Sequence, residues 1–126
     1  MERTNVSSGS PWEPIIGFSR AVRVGDRVFV SGTAPIWPED AVDPDPAAQT
    51  RHVLEIIFDA LAQAGARPEH IVRTRTYLTD ARDAETIGRV HGELLGHVRP
   101  ASTMIVVAGF LDDRWKVEME AEAVVG

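Results

Sequence analysis

Apolar and polar positions alternate over the first well-patterned part of the chain, along residues 17–24 and again along residues 27–31. A period of two places successive side chains on opposite faces of an extended strand. The pair Gly25-Asp26, which separates the two segments, is typical of a tight turn. The pattern therefore predicts a β-hairpin.

The next pattern has helical spacing and runs from residue 47 to residue 64. A loop rich in Pro and Asp precedes it and ends in Asp45 and Pro46, which suit the N-cap and the first helical position. Gly65 suits the C-terminal end. The apolar stripe consists of Val53, Leu54, Ile57, Phe58, Leu61 and Ala64. We predict an amphipathic helix over this segment.

A strand is predicted over residues 71–79, which are rich in β-branched and aromatic side chains and have a period of two. The alternation places Arg73, Arg75 and Tyr77 on one face of this strand. The opposite face carries Val72, Thr74, Thr76 and Leu78.

A second helical pattern over residues 83–96 carries His91 on its apolar stripe, and two more strands are predicted over 103–110 and 115–125. The order of elements is ββαβαββ, which is an α+β fold. Because each helix has a single apolar stripe, we predict one sheet with both helices packed on one face.

The last predicted strand places Glu118, Glu120 and Glu122 in a row on one face. Same-face neighbours along a strand lie roughly 6.5–7 Å apart, so these carboxylates repel one another unless solvent or cations separate them. One interpretation is a solvated outer face. The other is a cleft or subunit interface in which Arg73 or Arg75 supplies the opposite charge.

The composition is that of a folded protein, because 44% of the residues are hydrophobic and 25% are charged. With 126 residues the chain has room for one domain. Residues 1–14, rich in Ser, Pro and Gly, are predicted to form a flexible N-terminal arm, and residues 15–126 the domain. No segment has the pattern of a signal peptide or a membrane span, so we expect a cytoplasmic protein without a membrane partner.

Several chemical classes are excluded or disfavoured by residue counts. The chain has no cysteine, and therefore no disulfide, thiolate nucleophile or sulfur metal ligand. Its four histidines lack metal-binding spacing, so we predict no metal, and nothing indicates a cofactor. A net charge of −6 without a basic cluster disfavours a nucleic-acid partner.

The patterned segments resemble the RidA/YjgF (reactive intermediate deaminase) family over residues 15–125. GFSRAVRVGDRVFVSG is similar to the family's opening hairpin, QTRHVLEIIFDALAQAG to its first helix, IVRTRTYLTD to its third strand, and RPASTMIVVAGF with VEMEAEAV to its closing strands. The resemblance implies a chorismate-mutase-like fold and a homotrimer whose helix-free sheet faces close into a central β-barrel. It also implies three intersubunit clefts, where better-known members hydrolyse enamines and imines to 2-oxo acids and ammonia.

The chain departs from the family at its substrate-binding arginine. The family motif Pro-Ala-Arg-Ser reads Pro100-Ala101-Ser102-Thr103 here. Ser102 has an uncharged hydroxyl and cannot replace the bidentate grip of a guanidinium on a carboxylate. It could instead serve only in sheet packing at the interface. Glu118 matches the family glutamate that positions or activates the attacking water.

The resemblance also implies roles for residues around that glutamate. Phe18 replaces a cleft tyrosine, Gly88 stands where an asparagine is often found, and Gly32 is expected among the substrate-binding residues. The first two changes make the predicted pocket less polar. Trp37, in the long loop, is either a lid over the cleft or an exposed loop aromatic.

Two further residues add polar groups near the expected site. Arg75 could bind the substrate anion in place of the missing arginine, or it could pair with Glu118 or Glu120. His91 could act as an acid or base near neutral pH, or it could be a hydrogen-bonded core histidine.

Two functions of different classes follow. The first is a hydrolase or deaminase of a small enamine- or imine-type metabolite other than 2-aminoacrylate. The second is a non-catalytic trimer that binds or senses a small ligand. The family has also been labelled endoribonuclease, which the acidic charge makes the least favoured function.

Overall fold

The protein is described here by a computed structural model that covers all residues from 1 to 126. Eight principal elements follow one another along the chain. They are β1 (Arg3–Val6), β2 (Ala21–Val24), β3 (Arg27–Thr33), α1 (Pro46–Gln63), β4 (Ile71–Leu78), α2 (Ala84–Leu95), β5 (Ala101–Val106) and β6 (Val117–Val124). A short π-helix (Glu13–Gly17) lies between β1 and β2, and three 3₁₀ turns occupy loops.

The strands form one six-stranded sheet in the order β1-β2-β3-β6-β4-β5. Neighbouring strands are antiparallel except β4 and β5, which are parallel. Both helices pack on one face, where their stripes and the inward side chains of the sheet make the hydrophobic core. The predicted α+β class with one sheet and two helices is confirmed. The two closing strands are not neighbours, because β4 lies between β6 and β5.

The first strand was absent from the predicted order. β1 pairs with β2 from Arg3 opposite Val24 to Val6 opposite Ala21, so the order of elements is βββαβαββ. Val6 is the only buried residue of β1, and a single buried position does not produce the alternating pattern that predicts a strand. The flexible arm over residues 1–14 stays a prediction about mobility, although the sheet extends into that segment.

Helix α1 begins and ends where the sequence predicted. The Asp45 carboxylate accepts a hydrogen bond from the Ala47 amide at 3.2 Å, and Pro46 is the first helical residue. Gly65 follows the helix with φ of +78°, a conformation that favours glycine. No helix is both long and apolar enough to span a membrane.

Strand β4 contains a bulge that changes one predicted side-chain direction. Ile71 lies opposite Ala123, whereas Arg73 lies opposite Glu122, so Val72 is an extra residue in the ladder. Val72 was predicted to share a face with Thr74, which is fully buried, and instead it is 46% exposed. After the bulge the predicted alternation holds.

Candidate functional site

The acidic row of β6 lies on the face of the sheet away from the helices. Glu118, Glu120 and Glu122 are half-buried and alternate with buried apolar residues. Strand β4 places Tyr77 opposite Glu118 and Arg75 opposite Glu120. The two strands therefore bring a partly cationic row beside the acidic one.

Two members of the acidic row have cationic partners. Arg75 Nη1 lies 3.2 Å from Glu120 Oε1 and 3.6 Å from Glu122 Oε1. Arg73 Nε lies 3.6 Å from Glu122 Oε2, and the Tyr77 hydroxyl donates to Glu120 Oε1 at 2.9 Å. Burial, followed by this hydrogen bond, raises the pKa of Tyr77. Arg75 thus serves as an ion-pair partner within the chain, one of its two predicted roles.

Glu118 is the exception in the row, since its carboxylate has no hydrogen bond or ion pair with the rest of the chain. Burial raises its pKa above the ordinary value, and the nearby charge of Arg20 opposes this effect. A register shift in β3 between Val30 and Thr33 brings Gly32 alongside it. A Cβ atom added to Gly32 would lie 3.8 Å from Glu118 Oε1. The missing side chain therefore leaves room beside this carboxylate.

An open cavity of about 730 Å³ lies over Glu118. It brings Glu118, Gly32 and Phe18 together, three residues that the sequence assigned to one site. One wall is the N-terminal segment, in which the Glu13 carboxylate accepts hydrogen bonds from the amide and hydroxyl of Ser8. The apolar part of the lining comes mainly from Pro11, Trp12, Ile16, Phe18, Ala34, Ile36, Leu111 and Trp115.

Arg20 lines the same cavity and was missed by the sequence analysis. Its Nη1 donates to the Gly32 carbonyl at 3.1 Å and to Thr33 Oγ1 at 2.7 Å. Partial burial lowers its pKa, and the charges of Glu13 and Glu118 oppose that shift. Arg20 lies within the alternating segment 17–24, where a polar residue is expected on a solvated face, so no local signal marked it; in the structure β2 begins only at Ala21.

His91 and Ser102 meet on the other side of the sheet, at the fully buried Thr74. The Thr74 hydroxyl donates to Ser102 Oγ at 2.9 Å, and His91 Nε2 shares a hydrogen bond of 2.8 Å with Thr74 Oγ1. Burial lowers the pKa of His91, and the geometry is that of a hydrogen-bonded histidine beneath α2. Within one chain, neither residue reaches the cavity of Glu118.

Trp37 does not line that cavity either. Its ring stacks on His52 of α1 with the centroids 4.2 Å apart, and His52 Nε2 lies 2.7 Å from the Ile36 carbonyl oxygen. No group of three or more His, Asp or Glu side chains is placed to hold a metal ion. The predictions about metal, cofactor and nucleic acid stay predictions.

Comparisons with known proteins agree on one family. The family model described as Endoribonuclease L-PSP matches residues 9–125. The crystal structure of Rv2704 from Mycobacterium tuberculosis, described as a member of the YjgF/YER057c/UK114 family, is 44% identical and superposes with a TM-score of 0.90, covering 98% of this chain and 100% of that one. This chain belongs to the RidA/YjgF family.

Two further relatives extend the comparison. The uncharacterized protein SCO2049 of Streptomyces coelicolor is 43% identical over 96% of this chain and 91% of its own length. The 3-aminoacrylate deaminase RutC of Acinetobacter baylyi is 34% identical over 79% of each chain. The matched range covers every residue that lines the Glu118 cavity except Ser8, and it covers the strand that carries Ser102.

Proposed function

We propose that this protein is a homotrimeric hydrolase that adds water to a small enamine or imine and releases ammonia, with Glu118 as the general base. One observation carries the proposal. Of three carboxylates in a row, only Glu118 lacks a protein partner, and it is the one that lines the cavity.

The chemistry needs a carboxylate that can take up a proton and return it. Water attacks the carbon of the C=N bond while Glu118 accepts a proton from that water. Glu118 returns this proton to nitrogen, which gives a carbinolamine. A second proton then moves from the carbinolamine hydroxyl to nitrogen, the C–N bond breaks as the C=O bond forms, and an oxo product and ammonia are released. An enamine enters the same path after its β-carbon takes up a proton from solvent and it becomes the imine. A raised pKa brings Glu118 closer to the operating pH, which suits this exchange. The relative from Acinetobacter baylyi is named for an enamine substrate, which supports this reaction class.

The trimer is supported by the exposed edge of the sheet. All six residues of β5 are exposed, and Met104, Ile105 and Val106 form an apolar edge on this parallel strand. An open apolar strand is a surface that proteins normally cover. In the proposed trimer a neighbouring chain covers it, and Ser102 on this strand lies at an intersubunit cleft. Because Ser102 carries no charge, we expect a substrate other than 2-aminoacrylate.

The test replaces the proposed base while keeping its shape. Imines are generated in the assay from a panel of amino acids by an amino acid oxidase, and ammonia release is measured. We expect Glu118→Gln to lower the rate by about 10²–10⁴-fold. Glu122→Gln, the same change at the far end of the row, is the control and keeps most activity. A fully active Glu118→Gln enzyme removes Glu118 from the mechanism.

A second function is favoured by what the cavity lacks. Apart from Glu118 and Arg20, no ionisable side chain of this chain lines it, and His91 lies across the sheet. A trimer that binds a small ligand without chemistry fits this lining. A Ser102→Arg variant separates the two functions. Gain of 2-aminoacrylate hydrolysis indicates working catalytic groups, whereas no ammonia release from either protein on any imine indicates a binding protein.

A further inference from the structure

Arg20 gives the cavity a cationic group close to its proposed base. We propose that Arg20 binds the carboxylate of the ligand, and that the ligand is a carboxylic acid with a bulky apolar body, such as an aromatic or branched imino or enamino acid. This inference rests on the proposed function for the reaction, but its binding part can be tested without catalysis.

The guanidinium of Arg20 has donors left over. Nη1 is used by the Gly32 carbonyl and the Thr33 hydroxyl, whereas Nε and Nη2 have no partner in the chain. No fully buried side-chain nitrogen or oxygen in the molecule lacks a hydrogen-bond partner. The free donors of this half-buried arginine therefore contact solvent. Nε and Nη2 form one edge of the guanidinium, the geometry that grips a carboxylate through two oxygens.

The arginine is held in place before any ligand arrives. The two bonds from Nη1 fix the guanidinium against β3. The Arg20 amide donates to the Val6 carbonyl at 2.8 Å, and the Ser31 amide donates to the Arg20 carbonyl at 3.0 Å. A donor fixed in advance loses less conformational freedom on binding than a mobile surface arginine does.

The charges around the cavity leave a place for an anion. Glu13 and Glu118 are both close enough to affect the pKa of Arg20, yet neither lies within ion-pair distance of its guanidinium, and the Glu13 carboxylate accepts hydrogen bonds from Ser7 and Ser8. A bound carboxylate at Arg20 would compensate its charge and leave Glu118 facing the reacting carbon. The row containing Arg73 and Arg75 offers no equal alternative, since both pair with Glu120 or Glu122.

The apolar body of the ligand is inferred from the walls. Trp12, Ile16 and Leu111 line the cavity and are 58%, 68% and 100% exposed, respectively. Phe18 and Trp115 continue the same surface. A volume of about 730 Å³ is far larger than a three-carbon acid requires. Covering these side chains with a ligand of matching size would remove apolar surface from water.

The test uses 3-phenylpropionate, its uncharged amide 3-phenylpropionamide, and propionate as probes, with binding measured by calorimetry. The wild-type protein should bind the acid about 10- to 100-fold more tightly than the amide, the range of one charge-assisted contact. Propionate should bind at least tenfold more weakly than 3-phenylpropionate. In Arg20→Gln the preference for acid over amide should fall to about one, and Arg20→Lys should retain part of it.

The control is Arg89→Gln, which removes one positive charge from the exposed side of α2, far from the cavity lining. It should keep the wild-type preference. Arg20→Gln with an unchanged preference overturns the assignment of Arg20, and equal binding of propionate and 3-phenylpropionate overturns the apolar body. Failure of the wild-type protein to bind any probe overturns both. If the wild-type protein binds the probes as expected but releases no ammonia, only the proposed hydrolase is overturned. If hydrolysis depends on Glu118 but binding does not depend on Arg20, only this inference is overturned.

Discussion

The three glutamates of β6 show how neighbours of one kind acquire different chemistry. Each faces the same side of the sheet, yet Glu120 and Glu122 have arginine partners and Glu118 does not. The period of two predicts which face they share, and it predicts the cationic row beside them. It cannot show that, of the three, only Glu118 borders the large cavity, because residues of the arm, β3 and the loop before β6 line that cavity. For the same reason Arg20 was missed.

The raised pKa of Glu118 predicts a specific dependence of stability on pH. The folded chain holds this proton to higher pH than the unfolded chain, whose value lies near 4.5. Below pH 4.5 the Glu118 carboxyl group is protonated in both states and does not lower the stability of the fold. As pH rises from 4.5 through the raised pKa, the unfolded chain gives up the proton more readily, and the folded state loses stability. Glu118→Gln does not titrate, so its melting temperature relative to wild type should increase with pH over that window. Thermal melts from pH 4 to 8 check this, with Glu55→Gln on the exposed side of α1 as the control. A difference that shrinks with rising pH contradicts the burial of Glu118.

At the scale of elements, local signals were sufficient for the helices and insufficient for strand pairing. Asp45, Pro46 and Gly65 fixed both ends of α1, since capping depends on a few adjacent residues. Strand β5 was predicted over 103–110 and lies at Ala101–Val106. All six of its residues are exposed, so no alternation of buried and exposed positions marks where the strand begins and ends. The pairing of strands depends on contacts across the whole sheet. The sequence pattern of single strands therefore did not predict that β6 lies between β3 and β4.

Helix α2 contains Gly92 and is followed by Gly96, and the two glycines differ in how they tolerate a side chain. Gly92 is exposed within the helix, and an added Cβ meets nothing within 4 Å. Gly92→Ala should raise the free energy of unfolding by roughly 0.5–1 kcal/mol, because alanine loses less backbone entropy in a helix. Gly96→Ala is the matched contrast, since its Cβ would clash with the Gly92 carbonyl. Chemical denaturation measures both. A destabilised Gly92→Ala protein would show that another chain or segment covers this position.

At the scale of the molecule, the sheet has one face covered by helices and one that is not. Charge pairing between β4 and β6 neutralises much of the uncovered face, and β5 adds an exposed apolar edge. A sheet with one free face follows from the sequence pattern, because two helices with single stripes cover only one side. In the proposed trimer other chains cover the free face, and contacts between chains produce no periodic pattern of apolar residues in the sequence. The family resemblance, and not the pattern, led to the trimer.

The proposed trimer predicts that a single charge introduced into β5 dissociates the oligomer into single chains. Ile105 lies opposite Tyr77 in the parallel ladder and is 42% exposed in the single chain. In the proposed trimer Ile105→Glu would bury an unpaired carboxylate, which proteins tolerate poorly. Light scattering should give three times the 13.8-kDa chain mass for wild type and the single-chain mass for the variant. Ala62→Glu, which adds the same charge to the exposed side of α1, should remain trimeric. Circular dichroism checks that Ile105→Glu still folds, and a wild-type protein that is monomeric at micromolar concentration refutes the trimer.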